Sequence, residues 1–460
     1  MGIINMGIRR WEKKGPGGTT FHFTAGSGGE KLVPGTKTGA LIIGSWTFDE
    51  LFHLAGMDDR ARTGFCEKPL FIHYGGWQSW SAGWELGKGE TLPAKVRFIP
   101  DLIKCTNREG DRPGRRWITG HFIMYLRAGD FYLCIASLEG NAARPAENAE
   151  KSGSGPDILP PVSYRISRGL KIVAAEVFCP GRLWRSGEPV AELRIFFARG
   201  YFRFKDTLAE LYRQQEHFKR LAFLYSAARN PADTPETGAV WPPGKDSIPG
   251  GYESWYNHYT HISEDIILSD LEGLEKNNNL IKLRYLDRNK PVVFQIDDGW
   301  ERAVGDWEID RERFPRGLKP LAEEIEKRGY IPGLWIAPFL VTRPSRIFRE
   351  KPAWILHDTE GPVSVGFNHL WSGKYYCLDL SRPDVEEYLS SIIGQVIDEW
   401  GFRYLKLDFL YAGFISGKFA CGGSPYEHYH RLCSRLTART KTAAGELPVA
   451  YLGCGVPLGP

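Results

Sequence analysis

The feature that most constrains the fold is an apolar run that stops at two adjacent carboxylates. Residues Val292–Ile296 follow Pro291 and lead directly into Asp297 and Asp298, which a glycine and a tryptophan follow. The run is too short for a core helix and predicts a buried strand. A strand apolar on both faces belongs to a parallel sheet covered by helices, where chemistry sits at the carboxyl ends of strands. One Asp could serve as a helix N-cap. A cap needs only one such residue, so two adjacent Asp residues followed by Gly-Trp indicate a functional site instead.

From residue 250 onward, strand patterns alternate with helix patterns. We predict strands at residues 252–256, 292–296, 330–336, 403–408 and 449–452, and helices at 263–280, 318–328, 383–400 and 425–444. Ser381 is the expected N-cap of the third helix. Functional side chains occur at the ends of several successive strands. This distribution favours a (β/α)₈ barrel, because an open sheet concentrates such residues at one switch point. Closure needs eight strands and five are found, so we expect either a fragment or a barrel completed by another polypeptide.

A second carboxylate lies at the end of the predicted fourth strand. Lys406 and Asp408 are two residues apart and therefore share a face of that strand. A lysine beside a carboxylate favours its ionised form, as a nucleophile requires; the alternative is a structural ion pair under the loops. Carboxylates at two strand ends, with a lysine and several tryptophans nearby, suggest glycoside hydrolysis. The alternative is that these carboxylates bind a metal ion. The histidines that could act as further ligands, His258, His261 and His369, lie in predicted loops.

The N-terminal part of the chain, up to residue 204, predicts a β domain. Short strand patterns occur at residues 40–44, 70–73, 122–126, 131–137, 171–178 and 191–198, and helical periodicity is nearly absent, which favours a sandwich or a barrel. Trp77 and Trp80 lie in a Gly-rich aromatic segment that suits either a recognition loop or a loop packed by its own rings. A helical stretch and a Pro-rich joint follow. We therefore predict an N-terminal β-sandwich at 1–204, a helical and Pro-rich linker at 205–248, and a partial (β/α)₈ catalytic barrel at 249–460.

Composition excludes several classes of protein. Hydrophobic residues make up 42% and charged residues 25% of the 460, and the net charge is only +4, with no basic tract. Nucleic acid is therefore not an expected partner. The eight cysteines form no CxxC pair and lack zinc spacing. We find no secretory signal and no membrane span. Reduced thiols and a cytoplasmic location are the resulting expectations, with no metal and no cofactor.

Seven segments of the second half resemble the α-galactosidases of glycoside hydrolase family 36, and they occur in the order typical of that family. The segments are Gly251–Trp255, Ile296–Trp300, Gly305–Trp307, Phe314–Lys319, Gly333–Pro338, Leu378–Pro383 and Lys406–Asp408. The first half is also compatible, because this family carries a large β-sandwich before its barrel. The resemblance therefore implies a sandwich followed by a TIM-type barrel, of which about five βα units are present.

The resemblance also implies roles for particular residues. It makes Asp408 the nucleophile of a retaining mechanism, forming a covalent galactosyl-enzyme. Asp297 and Asp298 would accept hydrogen bonds from the 4- and 6-hydroxyls of galactose, and Lys406 would bind another ring hydroxyl. The remaining sugar-binding candidates are Trp255, Trp335, Cys454, Trp77 and Trp80. The implied partners are α-galactoside oligosaccharides, with a homo-oligomer left open, since the aromatic loop of a neighbouring subunit sometimes reaches the site in this family.

One functional group has no candidate in this sequence. In the family, the general acid/base is an Asp that follows an Arg on a later strand, and residues 453–460 resemble the lead-in to it. We assign no residue to this role. Three alternatives to an α-galactosidase follow from the same resemblance: a galactosyltransferase of the raffinose-synthase type, an α-N-acetylgalactosaminidase, and a non-catalytic sugar-binding protein.

Overall fold

The computed structural model divides the chain into two compact units, one of residues 1–221 with two short later segments, the other of residues 222–422 and 428–456. The residues it describes are 8–15, 18–25, 40–74, 84–87, 117–121, 123–138, 162–167, 172–178, 189–213, 250–276, 279–288, 290–415, 417–423, 425–438 and 449–456. Trp77, Trp80 and residues 214–249, which carry most of the predicted linker, lie outside the described residues.

The first unit contains two antiparallel sheets. Its strands are β1 Ile8–Gly15, β2 Gly18–Ala25, β3 Ala40–Thr47, β4 Leu70–Tyr74, β5 Trp84–Gly87, β6 Trp117–His121, β7 Ile123–Ala128, β8 Phe131–Leu138, β9 Val162–Ser167, β10 Ile172–Phe178 and β11 Pro189–Arg199. The seven-stranded sheet has the order β1-β2-β11-β8-β7-β4-β5, and the four-stranded sheet has the order β3-β10-β9-β6. Buried residues of both sheets, such as Leu193 of β11 and Tyr164 of β9, belong to one hydrophobic cluster.

Helices also occur in this first unit, at Phe48–Leu54, Asp59–Cys66 and Tyr201–Arg213. The prediction that helical structure is nearly absent before residue 204 was therefore wrong. The first two helices are too short to show apolar periodicity. Their capping residues are the feature of the sequence that could have predicted them. Thr47 and Glu50 form a capping box. The Glu50 N–H donates to Thr47 Oγ1 at 3.3 Å, and the Thr47 N–H donates to Glu50 Oε2 at 2.7 Å.

The second unit contains the predicted parallel sheet. Its five strands are β12 Gly250–Glu253, β13 Val292–Ile296, β14 Ile331–Ile336, β18 Tyr404–Leu407 and β19 Ala450–Gly453, and they are hydrogen-bonded in chain order. Every neighbouring pair is parallel. A small antiparallel sheet, ordered β15 Leu340–Thr342, β17 Gly373–Cys377 and β16 Ser364–Asn368, forms the insertion after β14. The prediction of five βα units is confirmed at the level of strand order and direction.

Helices connect the parallel strands. They are Trp255–His258, Glu264–Leu274, Leu280–Arg284, Lys319–Lys327, Arg346–Glu350, Pro383–Gly394 and Pro425–Leu436, with a π-helical turn at Gln395–Glu399 and 3₁₀ turns at Leu286–Arg288, Pro352–Trp354, His369–Trp371 and Leu410–Phe414. The longer connecting helices bury an apolar stripe, for example Leu321, Ala322 and Ile325. Across the described part of the chain, no helix has the length and apolarity that crossing a bilayer requires.

The structure departs from the prediction at several boundaries and at one cap; for example, the helix predicted at 425–444 ends at Leu436. The first strand ends at Glu253 rather than residue 256, and Trp255 begins a short helix. The first long helix ends at Leu274, after which Asn279 caps a separate helix. Ser381 does not cap the helix that begins at Pro383, because Arg382 is its N-cap residue. The Ser381 oxygen instead accepts from the Cys421 N–H at 3.1 Å, and its hydroxyl donates to Asp379 Oδ1 at 2.6 Å.

The two faces of the parallel sheet differ in what they carry. One face packs against connecting helices, for example Lys319–Lys327 against β14. On the other face, a small apolar cluster is formed by Val293, Ile331, Tyr404 and Ala450. Because alternate residues of a strand share a face, Gln295 and Asp297 continue this face beyond Val293, and Lys406 and Asp408 continue it beyond Tyr404. Polar side chains from β13 and β18, the strands on either side of β14, therefore meet at the carboxyl edge, above the apolar cluster.

Candidate active site

Asp297 is held in place by three hydrogen-bond donors and one acceptor. Its Oδ2 accepts hydrogen bonds from Gln295 Nε2 at 2.6 Å and Lys406 Nζ at 2.9 Å, and its Oδ1 accepts one from the Asp298 N–H at 2.9 Å. Its own N–H donates to Ser254 Oγ at 2.9 Å, which links β13 to the end of β12. Burial raises the pKa of Asp297, and the charge of Lys406 opposes that rise. Three donors on one carboxylate favour its ionised form.

Lys406 is surrounded by carboxylates. Its Nζ lies 2.9 Å from Asp297 Oδ2, 3.6 Å from Glu253 Oε2 and 3.9 Å from Asp408 Oδ2. Burial lowers the pKa of Lys406, but the attraction of these neighbours outweighs it, so the net effect raises the pKa and the ammonium keeps its charge. The sequence predicted Asp408 as the partner of this lysine. The closest carboxylate is instead Asp297, which follows β13, so the contact reaches across β14, the strand between β13 and β18.

Asp408 is buried, and both of its oxygens accept hydrogen bonds. Oδ2 accepts from Trp335 Nε1 at 2.9 Å, and Oδ1 accepts from the Phe409 N–H at 2.7 Å. Phe409 has a left-handed backbone with φ of 54°. That conformation is strained for a bulky residue. Trp335 is itself anchored, because Trp300 Nε1 donates to its carbonyl oxygen at 2.9 Å. The turn after β18 thus holds Asp408 in one orientation.

Trp371 reaches the site from the small antiparallel sheet, and the sequence analysis did not select it. Its Nε1 donates to Asp298 Oδ2 at 2.8 Å. Its ring lies 6.1 Å from that of Trp335 and 5.0 Å from that of Phe409, measured between centroids. These rings form an apolar wall beside the carboxylates. The only signal in the sequence was a tryptophan close to glycine in the insertion, and nothing in that pattern indicated its partner.

Glu301 is a further buried carboxyl that sequence reasoning missed. It is 5% exposed, and Asp298 is 2% exposed. The two carboxyl groups are in contact, and the Gly299 N–H donates to Glu301 Oε2 at 3.2 Å. Burial raises the pKa of Glu301 well above its ordinary value, and the neighbouring charge of Asp298 raises it further. Burial likewise raises the pKa of Asp298, to about 6.

Two other predicted site residues, Trp255 and Cys454, follow β12 and β19 at the carboxyl edge of the sheet. Trp255 is half-buried and packs edge-on against Tyr259, with centroids 5.3 Å apart. Cys454 is half-buried after β19, where its N–H donates to the Leu407 carbonyl oxygen at 2.8 Å. Within the described ranges, no group of three or more His, Cys, Asp and Glu side chains could hold a metal ion.

A parallel βα sheet that gathers carboxylates, an ammonium and indoles at its carboxyl edge is typical of enzymes that act on sugars. Comparison with known proteins identifies the family within that class. Residues 256–412, which include Asp297, Asp298, Trp371 and Asp408, match the melibiase family. The resemblance to glycoside hydrolase family 36 α-galactosidases is therefore confirmed over this segment.

Curated relatives are similar to part of the chain. The α-galactosidase AgaA of Geobacillus stearothermophilus is 36% identical over 120 residues, which are 25% of this chain and 16% of that protein. An α-galactosidase of Escherichia coli is 30% identical over 152 residues, which are 31% of this chain and 21% of that protein. The aligned segments therefore span well under two thirds of these relatives.

Solved structures show that the fold is shared over nearly the whole chain. An α-galactosidase from Thermus thermophilus, solved in complex with stachyose, superposes with a TM-score of 0.55 at 24% identity, covering 98% of this chain and 75% of the other. The family 36 α-galactosidase AgaA from Geobacillus stearothermophilus gives a TM-score of 0.53 at 16% identity, covering 95% of this chain and 51% of the other. At these identities the likeness establishes the fold.

Proposed function

We propose that this chain carries the catalytic part of a retaining α-galactosidase. One observation carries the proposal most strongly: Asp297, Lys406 and Asp408 from two strands of the parallel sheet form one hydrogen-bonded and ion-paired cluster at its carboxyl edge. A structural ion pair would need one carboxylate for one ammonium. Here carboxylates outnumber the ammonium, and indoles flank them, which is the chemistry that a sugar ring with several hydroxyls requires.

Asp408 is the proposed nucleophile. One of its oxygens attacks the anomeric carbon, the bond to the leaving-group oxygen breaks, and a water later releases the sugar with its original anomeric configuration. The hydrogen bonds from Trp335 Nε1 and the Phe409 N–H support this role, because they orient the carboxylate before substrate arrives. The general acid/base that protonates the leaving group is not among the residues we assign.

Asp297 and Asp298 are the proposed acceptors for the 4- and 6-hydroxyls of galactose. Both carboxyl groups are almost completely buried, so a sugar whose hydroxyl fails to reach them forfeits a hydrogen bond to a buried, charged acceptor. Discrimination against glucose, whose 4-hydroxyl has the opposite orientation, follows from that penalty. Lys406 is the proposed donor to a further ring hydroxyl, and Trp255 and Trp335 are the proposed walls of the sugar subsite.

The proposed substrates are oligosaccharides with a terminal α-linked galactose. Support comes from the stachyose complex of the Thermus thermophilus relative, although that ligand belongs to that protein. We further propose that residues 1–204 form the β-sandwich of the family and that β12 to β19 contribute five units to an eight-stranded barrel. A shared core cluster between the two antiparallel sheets supports the sandwich. A homo-oligomer and a cytoplasmic location remain part of the proposal.

A covalent trapping experiment tests the proposed mechanism. We would incubate the chain with 5-fluoro-α-galactosyl fluoride, whose fluoride leaves without protonation, and map the adduct by peptide mass spectrometry. A galactosyl adduct on Asp408 is expected, with none in Asp408→Asn and an unchanged adduct in Asp358→Asn, an exposed control. An adduct on another residue would overturn the nucleophile. Galactose binding without any adduct would favour a non-catalytic sugar-binding protein.

A further inference from the structure

Glu301 is buried without a cationic partner among the described residues. It is 5% exposed, and among the ion pairs of that part of the chain none involves its carboxyl. Arg313 does contact this residue, but its Nη2 donates to the Glu301 carbonyl oxygen at 3.3 Å and not to the carboxyl. A buried carboxylate without a cation is costly, and such groups usually hold a proton instead.

Asp298 lacks one donor that a proton on Glu301 would supply. Its Oδ2 accepts from Trp371 Nε1, whereas its buried Oδ1 has no hydrogen-bond partner among the described residues. The Glu301 carboxyl is in contact with Asp298, and Glu301 Oε2 accepts from the Gly299 N–H. A protonated Glu301 would therefore satisfy an acceptor that is otherwise orphaned inside the protein.

We propose that Glu301 is a positioning residue that keeps a proton at neutral pH and donates it to Asp298 Oδ1. Trp371 and Glu301 then hold Asp298 from two sides, so that its carboxylate is fixed before a sugar hydroxyl arrives. This inference rests on the proposed role of Asp298 in binding galactose. It adds a residue from the turn after Trp300 that does not itself touch the sugar.

The charges around the pair determine how it responds to pH. Asp297 lies beside Asp298 on the same turn, Asp408 acts on Asp298 from the end of β18, and Lys406 offsets Asp297. Arg313 faces the main chain of Glu301. With these groups ionised, a second charge on Glu301 would be repelled by Asp298 and unsupported by a nearby cation. Loss of its proton at alkaline pH should therefore disorder Asp298 and weaken sugar binding.

Infrared spectroscopy tests the protonation state without any sugar. The chain should show a protonated-carboxyl band at pH 7 that disappears at alkaline pH. Glu301→Gln should remove this band, because the amide replaces the acid while still offering an N–H donor to Asp298. Glu312→Gln, which replaces an exposed carboxyl of the same loop, should retain it. Absence of the band at pH 7, or its persistence in Glu301→Gln, would overturn the proposal.

Galactose binding against pH provides the functional readout. In the unsubstituted chain, the Kd followed by tryptophan fluorescence should rise by about tenfold or more on the alkaline side, as a hydrogen bond to a charged group is lost. Glu301→Gln should flatten this alkaline rise while keeping the neutral Kd within about threefold. A merely structural role would lower stability in Glu301→Gln and leave the alkaline rise in place. If the unsubstituted chain binds no galactose at all, the proposed function fails, and the infrared result still decides the state of Glu301.

Discussion

Two indole N–H groups define the orientation of the carboxylates in this site. Trp371 donates to Asp298, and Trp335 donates to Asp408. An indole donor holds a carboxylate without neutralising its charge, unlike an ammonium, so the carboxylate keeps its full strength as an acceptor or nucleophile. Lys406 instead binds Asp297, which already accepts from Gln295. At the scale of residues, neutral donors thus orient two carboxylates, and the ammonium of Lys406 supports the third.

Removing one of these indole donors should weaken sugar binding while preserving the fold. Trp371→Phe keeps an aromatic ring but loses the N–H that holds Asp298 Oδ2. We expect the galactose Kd to rise about fivefold to tenfold, equivalent to one lost hydrogen bond of about 1 to 1.5 kcal/mol. Trp354→Phe is the matched control, since Trp354 Nε1 donates at the same distance to Asp384, which is not among the site residues. Equal losses in both variants would contradict a specific role for Trp371.

The raised pKa of Asp298 predicts a dependence of stability on pH. The folded state binds a proton on Asp298 up to about pH 6, whereas the unfolded chain releases it near 3.8, so the unfolding free energy falls as pH rises between these values. Asp298→Asn removes this loss and should be about 2 to 3 kcal/mol more stable to unfolding than the unsubstituted chain above pH 6, with little difference near pH 4. Denaturant titrations at both pH values would measure this.

A suitable comparison is Asp358→Asn, where an exposed side chain retains its turn hydrogen bonds through the Asn oxygen. That variant should show no such difference between the two pH values. A pH-independent effect of Asp298→Asn would mean that ionisation of Asp298 is not what costs stability.

At the scale of elements, the turn after β13 depends on glycine. Gly299 has φ of 118°, and a Cβ there would lie 2.6 Å from the Thr260 carbonyl oxygen. Close approach of the loop at Thr260 to this turn therefore leaves no room for a side chain. The same turn carries Asp297, Asp298 and Glu301, so its shape decides the direction of the carboxyl groups.

Gly299→Ala should destabilise the protein by more than backbone strain alone would, because the added Cβ also meets Thr260. Gly361 has a similar φ of 126°, but nothing lies within 4 Å of its Cβ position, so Gly361→Ala measures the strain without a clash. We expect about 1 to 2 kcal/mol for Gly361→Ala and at least about 1 kcal/mol more for Gly299→Ala. Urea unfolding of the two variants gives the comparison. Similar values for both would show that the contact with Thr260 relaxes at little cost.

The sequence predicted the parallel strands because each is a short apolar run with clear punctuation, as in Val292–Ile296. It also placed Lys406 and Asp408 on one face of their strand, because the period of a strand is fixed at two, and Asp297 at the carboxyl end of another strand. Hydrogen-bond partners were not predictable in the same way. Trp371 and Glu301 reach Asp298 through an insertion and a turn, whose path depends on tertiary contacts. Ser381 was assigned to a cap because local pattern does not reveal its competing partner, Asp379.

At the scale of the whole molecule, binding should stabilise the folded chain selectively. A ligand that binds only the folded state adds about 2.7 kcal/mol at a concentration of about 100 times Kd. Galactose should therefore raise the thermal midpoint, and glucose, which differs at the hydroxyl that Asp297 and Asp298 are proposed to bind, should raise it much less at equal concentration. Differential scanning calorimetry with each sugar would measure this. An equal shift with both sugars would contradict the proposed specificity.

The strained residue beside Asp408 has a consequence for the entropy of reaction. The left-handed backbone of Phe409 aims its N–H at one carboxylate oxygen while Trp335 holds the other. A carboxylate tethered at both oxygens has little rotational freedom left to lose when it attacks a sugar. Folding has then already removed that disorder, so the activation entropy of glycosylation should be less unfavourable than for a carboxylate that turns freely.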